Sequence, residues 1–475
     1  MKTTSVPKIV VSADGTGVVS HAGSRLLVDL AAATGLTAAC GEALAGTRKR
    51  DGVGHDPGRV WTDLAVTVAD GGETITDLAV LRNQGALFGP VASTATAWRV
   101  LDSVDATVLS GLRTARAHAR QVAWAQRAET TGLAYGASMA AGRAVDGLVL
   151  DFDASLVICH SEKEGADKTF KRTFGYHPLM CFLDNTNEAL AGLLRNGNAG
   201  SNTATDHVTV TDLAIAQIPD EHRYGTPILI RADGAGATKT WLRHVRSLRA
   251  QGMDVRFSVG FTLCDAVKAA VSAVPEDAWI AAVDADGGIR DGAYVAEITH
   301  RLALDTGADG WPEGTRVIVR RERPAPGAQL SLFEQHDGWR YCPFATDTPQ
   351  PGGGSIQYLE ARHRSHARVE DRIRCGKTTG FGRFPSRHKE INAAWLEIAL
   401  TGIDLISWCQ TILIDEQHLA RCEPKTLRYR LLHTAARITR GARRTRLRID
   451  HTWPWAAALA AAFARLAALP LPMRT

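Results

Sequence analysis

The 475-residue chain is poor in the features that would place it outside the cell or in a membrane. None of its 8 cysteines forms a C-x-x-C pair, and their scatter from Cys40 to Cys422 reads as reduced thiols in a cytosolic protein rather than as a disulfide framework. Met1 to Pro7 is short and polar, with no apolar core of signal-peptide length behind it. The one Ala/Leu-rich stretch that looks membrane-like, Trp453 to Leu471, is interrupted by Arg465 and ended by Pro470 and Pro472. A membrane span needs roughly 20 mostly uncharged residues, so this stretch reads as a packed C-terminal helix.

No charge of one sign dominates either. The net charge is +5 and the pI near 8.8, yet arginine crowds the last third of the chain, and patches matter more than totals. Apolar residues at 45% and charged residues at 22% are the mix of a globular protein. At 51.0 kDa the chain is long enough for two or three domains, one of them with a full sheet.

The stretch that organises the rest is Gly-Leu-Val-Leu-Asp-Phe-Asp-Ala-Ser-Leu-Val (147–157), a buried-strand pattern ending in Asp151 and Asp153. Two residues apart, these acids share one face of a strand. Like charges there persist where a metal ion or a shared proton offsets them. The plainer alternative is that one caps a turn and the other meets solvent. A second strand is expected over Phe174 to Leu183, and a helix, or a strand and helix, over Val208 to Gln217. Thr226 to Ile230 is then a short strand closed by Arg-Ala-Asp-Gly (231–234) and followed by an amphipathic helix and another strand, Asp254 to Gly260. That is a βαβ unit with Asp233 at the carboxyl end of its strand, where open sheets hold ligands.

Ahead of this core, Lys8 to Ser20 suggests a short hairpin and Arg59 to Ala128 is helical. Thr74 to Arg82 and Ser93 to Val104 could form a DNA-reading helix-turn-helix or two packed core helices. Arg113, Arg116, Arg120 and Arg127 recur at helical spacing on a solvated or phosphate-facing side. Behind the core, Trp279 to Asp347 changes to short β runs, and Trp311 and Trp339 within it suit core packing or base stacking. Ile356 to Cys375 is a highly charged helix and Glu390 to Ile414 an apolar one. On the charged helix, His363, His366, Glu370, Arg374 and Lys377 fall on one stripe, so Glu370 is a candidate metal ligand flanked by bases suited to phosphate oxygens. A solvated helix of i,i+4 ion pairs is the alternative.

Three acids in this order resemble the catalytic core of DDE transposases, and the nearest likeness is to the bacterial insertion-sequence group called transposase DDE domain group 1. The motifs are Asp-Phe-Asp-Ala-Ser (151–155), Phe-Gly-Tyr-His-Pro-Leu (174–179), Ile-Arg-Ala-Asp-Gly (230–234), Glu-Asp-Arg-Ile-Arg (370–374) with Lys377, and Asn-Ala-Ala-Trp-Leu (392–396). Related transposases carry Tyr-x2-Arg-x3-Glu-x6-Lys on the last helix. Here Glu370 and Lys377 keep that spacing, and His363 and His366 stand where Tyr and Arg would be.

The resemblance implies an α/β, ribonuclease H-like mixed sheet with flanking helices, a β-rich insertion and an N-terminal mainly helical domain. It divides the chain into a DNA-binding region at 1–140, a first catalytic part at 141–262, an insertion at 263–355, a last catalytic part at 356–415 and a basic region at 416–475. It implies Asp153, Asp233 and Glu370 as catalytic metal ligands, with Asp151 the alternative first acid. Two Mg²⁺ ions about 4 Å apart, or Mn²⁺ in their place, would drive in-line displacement. Lys377, Arg374, Arg372, His366, His363, Arg443 and Arg444 would contact DNA. The implied partners are double-stranded DNA, both terminal inverted repeats and target, and a second subunit in a homodimer. The expected location is the bacterial cytoplasm, at the nucleoid, with no membrane association. A rival reading takes Asp151-x-Asp153 as the motif of a haloacid dehalogenase-type phosphatase, with Asp151 as nucleophile, Asp153 as acid and base, and Ser258, Lys268, Asp284 and Asp286 as later motifs. A DNA-binding transposase derivative without catalysis is a third.

Overall fold

The protein is described here by a computed structural model that covers residues 9–47 and 54–470. The polar segment 1–7, Lys8 of the expected hairpin and Leu471 of the expected C-terminal helix lie outside these residues.

The apolar run after Gly147 forms strand β1 (Leu148–Ala154). Gly147 has φ 75°, and a Cβ there would lie 1.9 Å from the Pro227 carbonyl oxygen, which accepts a 2.9 Å hydrogen bond from the Leu148 N–H. Only glycine lets the chain enter the sheet this close to its neighbour. The sheet continues with β2 (Leu179–Leu183), β3 (Ala189–Leu193), β4 (Ile228–Ala232), β5 (Val255–Gly260), β6 (Ile280–Val283), β7 (Ile289–Glu297), β8 (Arg316–Glu322) and β9 (Arg340–Thr346). Their order is β6-β7-β8-β9-β5-β4-β1-β2-β3. Strands β1, β4 and β5 are parallel and every other pairing is antiparallel. The sub-order β3-β2-β1-β4-β5 is compatible with the ribonuclease H-like expectation, and the β-rich insertion extends the same sheet rather than forming a body of its own.

Helices cover both faces. The principal ones are α1 (Pro57–Ala69), α2 (Ala106–Thr131), α3 (Ala204–Ala216), α4 (Lys239–Ser247), α5 (Ile356–Arg364), α6 (Arg368–Gly376), α7 (Lys389–Trp408) and α8 (Ala456–Ala468). Alternation along the strands sorts the side chains. Leu148, Leu150, Phe152, Ile228 and Ile230 enter a core with Val210 and Ala214 of α3 and Trp241, Leu242 and Val245 of α4. Val149 and Leu229 face the other way, under Tyr358 of α5, and Asp151 and Asp153 share that second face. A larger core joins Leu26, Leu64 and Val68 near the N-terminus to Trp395 and Leu405 of α7, Met180 and Phe182 of β2, and Leu459 of α8.

Several local expectations change. The strand expected over Phe174 to Leu183 splits at His177-Pro178 into a short strand, Phe174–Tyr176, and β2, because Pro178 has no N–H to give a ladder. In place of an N-terminal hairpin, Val18–Val19 pairs with β10 (Ala436–Gly441), which forms a hairpin with β11 (Arg444–Ile449). The segment before Ser93 is three short helical pieces, Ile75–Leu78, Ala79–Arg82 and Gly85–Phe88. The following helix, Thr94–Asp102, is capped by Ser93, buries Ala97 and Leu101 and leaves Trp98 and Arg99 exposed. On α2, Arg116 and Arg120 are fully buried, neither solvated nor facing phosphate. Among the described residues, one helix is long and apolar enough to cross a membrane, Lys389–Leu413 with mean hydropathy 1.3, and it is the buried centre of the larger core.

Candidate active site and nucleic-acid interface

The parallel register pairs Arg231 with Asp151 and Ala232 with Phe152, so Asp233 emerges beside Asp153, one step further along strands about 4.8 Å apart. Both acids line a cleft with Lys168, His177, Asn198 and His207. Asp153 is half-buried and its Oδ1 accepts the Ala154 N–H at 2.7 Å. Asp233 is exposed and its Oδ1 accepts the Ala235 N–H at 2.9 Å, capping a short turn. A Cβ at Gly260 would meet the Gly234 nitrogen at 2.6 Å, so this glycine lets the end of β5 press against the turn that carries Asp233.

Burial above all pushes the Asp153 carboxyl up to about 6, and the like charges of Asp233 and Glu370 push the same way. Glu370, exposed on α6, is therefore within electrostatic reach of Asp153. Among the described residues no Lys, Arg or His lies within 4.0 Å of an oxygen of Asp153, Asp233 or Glu370. Acids of like charge that act on one another, with no ion-pair partner of their own among the described residues, suit a divalent metal, which would offset their repulsion. Their oxygens do not all fall within 4.8 Å of one another, the spacing that His21, Asp70 and His433 achieve elsewhere, so the three carboxylates are not gathered round one ion position in this structure.

Asp151 is a different kind of acid. It is wholly buried and accepts hydrogen bonds from Arg231 Nε at 2.8 Å, Arg231 Nη2 at 2.8 Å and Arg372 Nη1 at 3.1 Å, with His366 Nδ1 2.9 Å from Oδ1. Burial pushes its carboxyl up, but Arg231 and His366 outweigh that and hold it well below the usual carboxylate range. Asp184, at the end of β2, completes the network with Arg231, Arg368 and Arg372. These ion pairs seat α6 on the sheet and so fix where Glu370 stands. The sequence reading missed Asp184; an acid directly after a strand was its only signal.

The bases expected to meet DNA are placed unequally. Arg372 and His366 are committed to the Asp151 network. His363 stacks on Phe344 with ring centroids 4.5 Å apart and its Nδ1 3.0 Å from Ser258 Oγ. Burial, then His366 and Arg231, push its ring down to about 3, so it is neutral. Arg374 is exposed but engaged by Asp371 and by Glu423 at 2.7 Å. Arg372, His366 and His363 are thus taken up in ion pairing and packing beside the sheet, and Arg374 stands exposed in a surface ion pair. Lys377 differs. Its Nζ donates to the Leu156 carbonyl at 2.9 Å, and Asp153 is among the charges that act on it. Trp311 packs on Phe261 at 5.0 Å, and Trp339 packs on Tyr294 and carries Arg323 3.8 Å above its ring, so both fill packed clusters.

The Arg-rich end forms the β10–β11 ribbon. Directly paired residues share a face, so Arg437, Arg448, Arg446 and Arg444 line one side, with Arg437 opposite Arg448. All four are exposed and none has a carboxylate partner among the described residues. Ala442 and Arg443, at φ 49° and 61°, make the two-residue turn, and Arg443 sits at its tip. Like charges directly opposite one another destabilise a ribbon, a cost that a polyanion would offset.

The profile of the family Transposase DDE domain group 1 matches residues 1–471. The chain belongs to that family. This transposase is accordingly an enzyme that cleaves and transfers DNA with divalent metal. A search of curated proteins returns no match. Among solved structures, a piggyBac transposase synaptic complex with hairpin DNA matches with 9% identity and TM-score 0.43 over 86% of this chain and 80% of that one, a likeness too distant to bear on fold or chemistry. The phosphatase reading fails on geometry, because Asp151, its nucleophile, has no access to solvent.

In the metal-free transposase the raised Asp153 carboxyl has a consequence for stability. A proton is held more tightly in the folded state than in the unfolded one, so stability falls as pH rises from near 4 through about 6, and the loss is complete above. Asp153→Asn cannot ionise. In chelator it should be more stable than wild type by about 1–3 kcal/mol near pH 8 and equal to it near pH 4, as urea unfolding at the two pH values will test.

Proposed function

We propose that Asp153, Asp233 and Glu370 are the catalytic carboxylates, and that the transposase cuts at the terminal inverted repeats of an insertion sequence and joins the ends to target DNA, working as a homodimer in the cytoplasm. The observation that carries this reading is that Asp153 and Asp233 line one cleft at adjacent strand ends and that the charge of Glu370 reaches Asp153. They would hold two divalent ions, Mg²⁺ by preference, which supply Lewis-acid activation of a water or 3′-hydroxyl and of the leaving oxygen. The chain's own residues do the rest. Asp153, between Asp233 and Glu370, feels both acids; the Asp151–Arg231–Arg372 pairs keep α6 from shifting; Lys377 brings a positive charge to the edge of the site. The β10–β11 arginines and Arg443 would grip duplex phosphates.

The test is Mg²⁺-dependent release of an element end from a duplex carrying the element's terminal sequence. Glu370→Ala should lose cleavage and keep binding; retained cleavage would remove Glu370 from the mechanism. For the ribbon, the paired change Arg444→Ala with Arg446→Ala should weaken duplex binding about equally for all sequences. It should also lower the slope of log K against log salt by about one for each phosphate no longer neutralised. An unchanged slope would mean that the ribbon does not touch the backbone.

A further inference from the structure

Away from the carboxylates, three segments distant in sequence converge on one point. His21 precedes the helix Arg25–Ala33, Asp70 follows α1, and His433 precedes β10. His21 Nδ1 lies 2.7 Å from Asp70 Oδ2, and His433 Nε2 lies 3.2 Å from Asp70 Oδ1 and 2.9 Å from the Asp70 carbonyl oxygen. Ser24 Oγ donates to Asp70 Oδ1. The imidazole rings are 4.4 Å apart between centroids, and the three ligand atoms lie within 4.8 Å of one another. Despite its closeness to the carboxylate, the buried His21 Nδ1 makes no hydrogen bond; the oxygen is off the direction of an N–H. Two imidazoles and one carboxylate thus turn their ligand atoms toward one another from three separate segments.

We propose that His21, Asp70 and His433 form a site for a transition-metal dication of the zinc class, separate from the carboxylate site. Two imidazoles and one carboxylate are a donor set for such ions. Tetrahedral coordination at about 2.0–2.2 Å needs ligand atoms about 3.3–3.6 Å apart; the His433–Asp70 contact is close to that, His21 would move out by over half an ångström, and His433 Nε2 would give up the proton it now points at the Asp70 oxygens. The cleft at His21 and Asp70 is also lined by Glu73 and Asp77, so three carboxylates face two guanidiniums, Arg383 on the cleft wall and Arg428, which packs on Gly71 and acts on Asp70 and His433; the balance is still negative and a remaining position is open to water.

The ion would staple the root of the arginine ribbon to the N-terminal helices. The backbone already crosses there: Ala22 N–H donates to the Thr434 carbonyl at 3.0 Å and Gly23 N–H to the Leu432 carbonyl at 3.1 Å. His433 is three residues from the start of β10, and Val18–Val19 pairs with that strand.

The experiment is titration of the chelator-stripped full-length protein with Zn²⁺ in excess Mg²⁺, run in wild type and in an Asp153→Asn, Glu370→Gln background that removes the carboxylate site as a competitor. Both should take up one equivalent with a rise in melting temperature, and Co²⁺ in place of Zn²⁺ should give the visible absorption of a four-coordinate site. His433→Gln, at a partly exposed position, and His21→Gln should each weaken uptake at least about tenfold and abolish the Co²⁺ band. No uptake by wild type, or undiminished uptake by the folded His433→Gln protein, overturns the proposal and leaves the cluster a carboxylate shared by two imidazoles. Loss of uptake in the carboxylate-site background with retention in wild type overturns it as well.

Discussion

Asparagine at Asp153 or Asp233 is expected to bring DNA-end cleavage down to background, a fall on the order of 10³ or more, with duplex binding intact. The reason is charge rather than shape. Asparagine keeps the volume and one oxygen, but takes away the negative charge that would hold a divalent ion, while the arginines proposed to grip phosphates lie on a different element. Asp153→Asn should be the more severe of the two, because Asp153 feels both other acids and Asp233 sits at the exposed edge. Single-turnover cleavage beside a binding titration on the same DNA separates the effects. Cleavage within tenfold of wild type in either variant would exclude that carboxylate from the chemistry. Asp151→Asn makes the contrasting case. It should lower stability by unpairing Arg231 and Arg372, and reduce cleavage only as far as α6 loses its seat.

The second large effect is on the fold. Asp404 of α7 is fully buried and accepts from Arg116 Nη1 and the Ala189 N–H at 2.8 and 2.9 Å, and from Arg120 Nη2. Arg116 also reaches Glu397 at 2.7 Å, and Arg120 reaches Glu188 at 2.6 Å. The two arginines of α2, two acids of α7 and Glu188 beside β3 thus form one network inside the protein. Asp404→Ala leaves the guanidiniums short of countercharge where water cannot enter, and should cost about 3–5 kcal/mol of stability. Asp404→Asn, which keeps the hydrogen-bond acceptor, should cost less. Denaturant unfolding of both variants checks this; a drop under about 1 kcal/mol for Asp404→Ala would mean that the network is slack.

What the sequence could reveal followed the range of the interaction. Local pattern sufficed for β1 and its acids, for the β4 turn at Asp233 and for helix at Glu370, since each is written in a dozen residues or fewer. Asp151 and Asp153 could not be told apart locally, because they differ in partners supplied by Arg231, His366 and Arg372. The same holds for Arg116 and Arg120. Helical spacing placed them on one side of α2, but the acids that bury that side come from α7, nearly 300 positions on. The single stripe expected for His363, His366, Glu370 and Arg374 gives way in the fold: the helix is interrupted by a 3-10 turn at Ser365–Ala367, His363 and His366 pack inward, and Glu370 and Arg374 are exposed. The ribbon was within reach: basic and apolar residues alternate from Ala436 to Ile449 around Gly441, the pattern of a half-exposed hairpin, and a count of arginines alone concealed it.

The larger core takes side chains from Val19 to Leu469, and α8 packs against the helix Arg25–Ala33. A nascent chain on the ribosome thus lacks the partner of its first helices until the final stretch has been made, although N-terminal segments normally fold first during synthesis. Removing α8 should therefore uncover one face of the helix Arg25–Ala33 and open the N-terminal helices to protease sooner than the rest of the core.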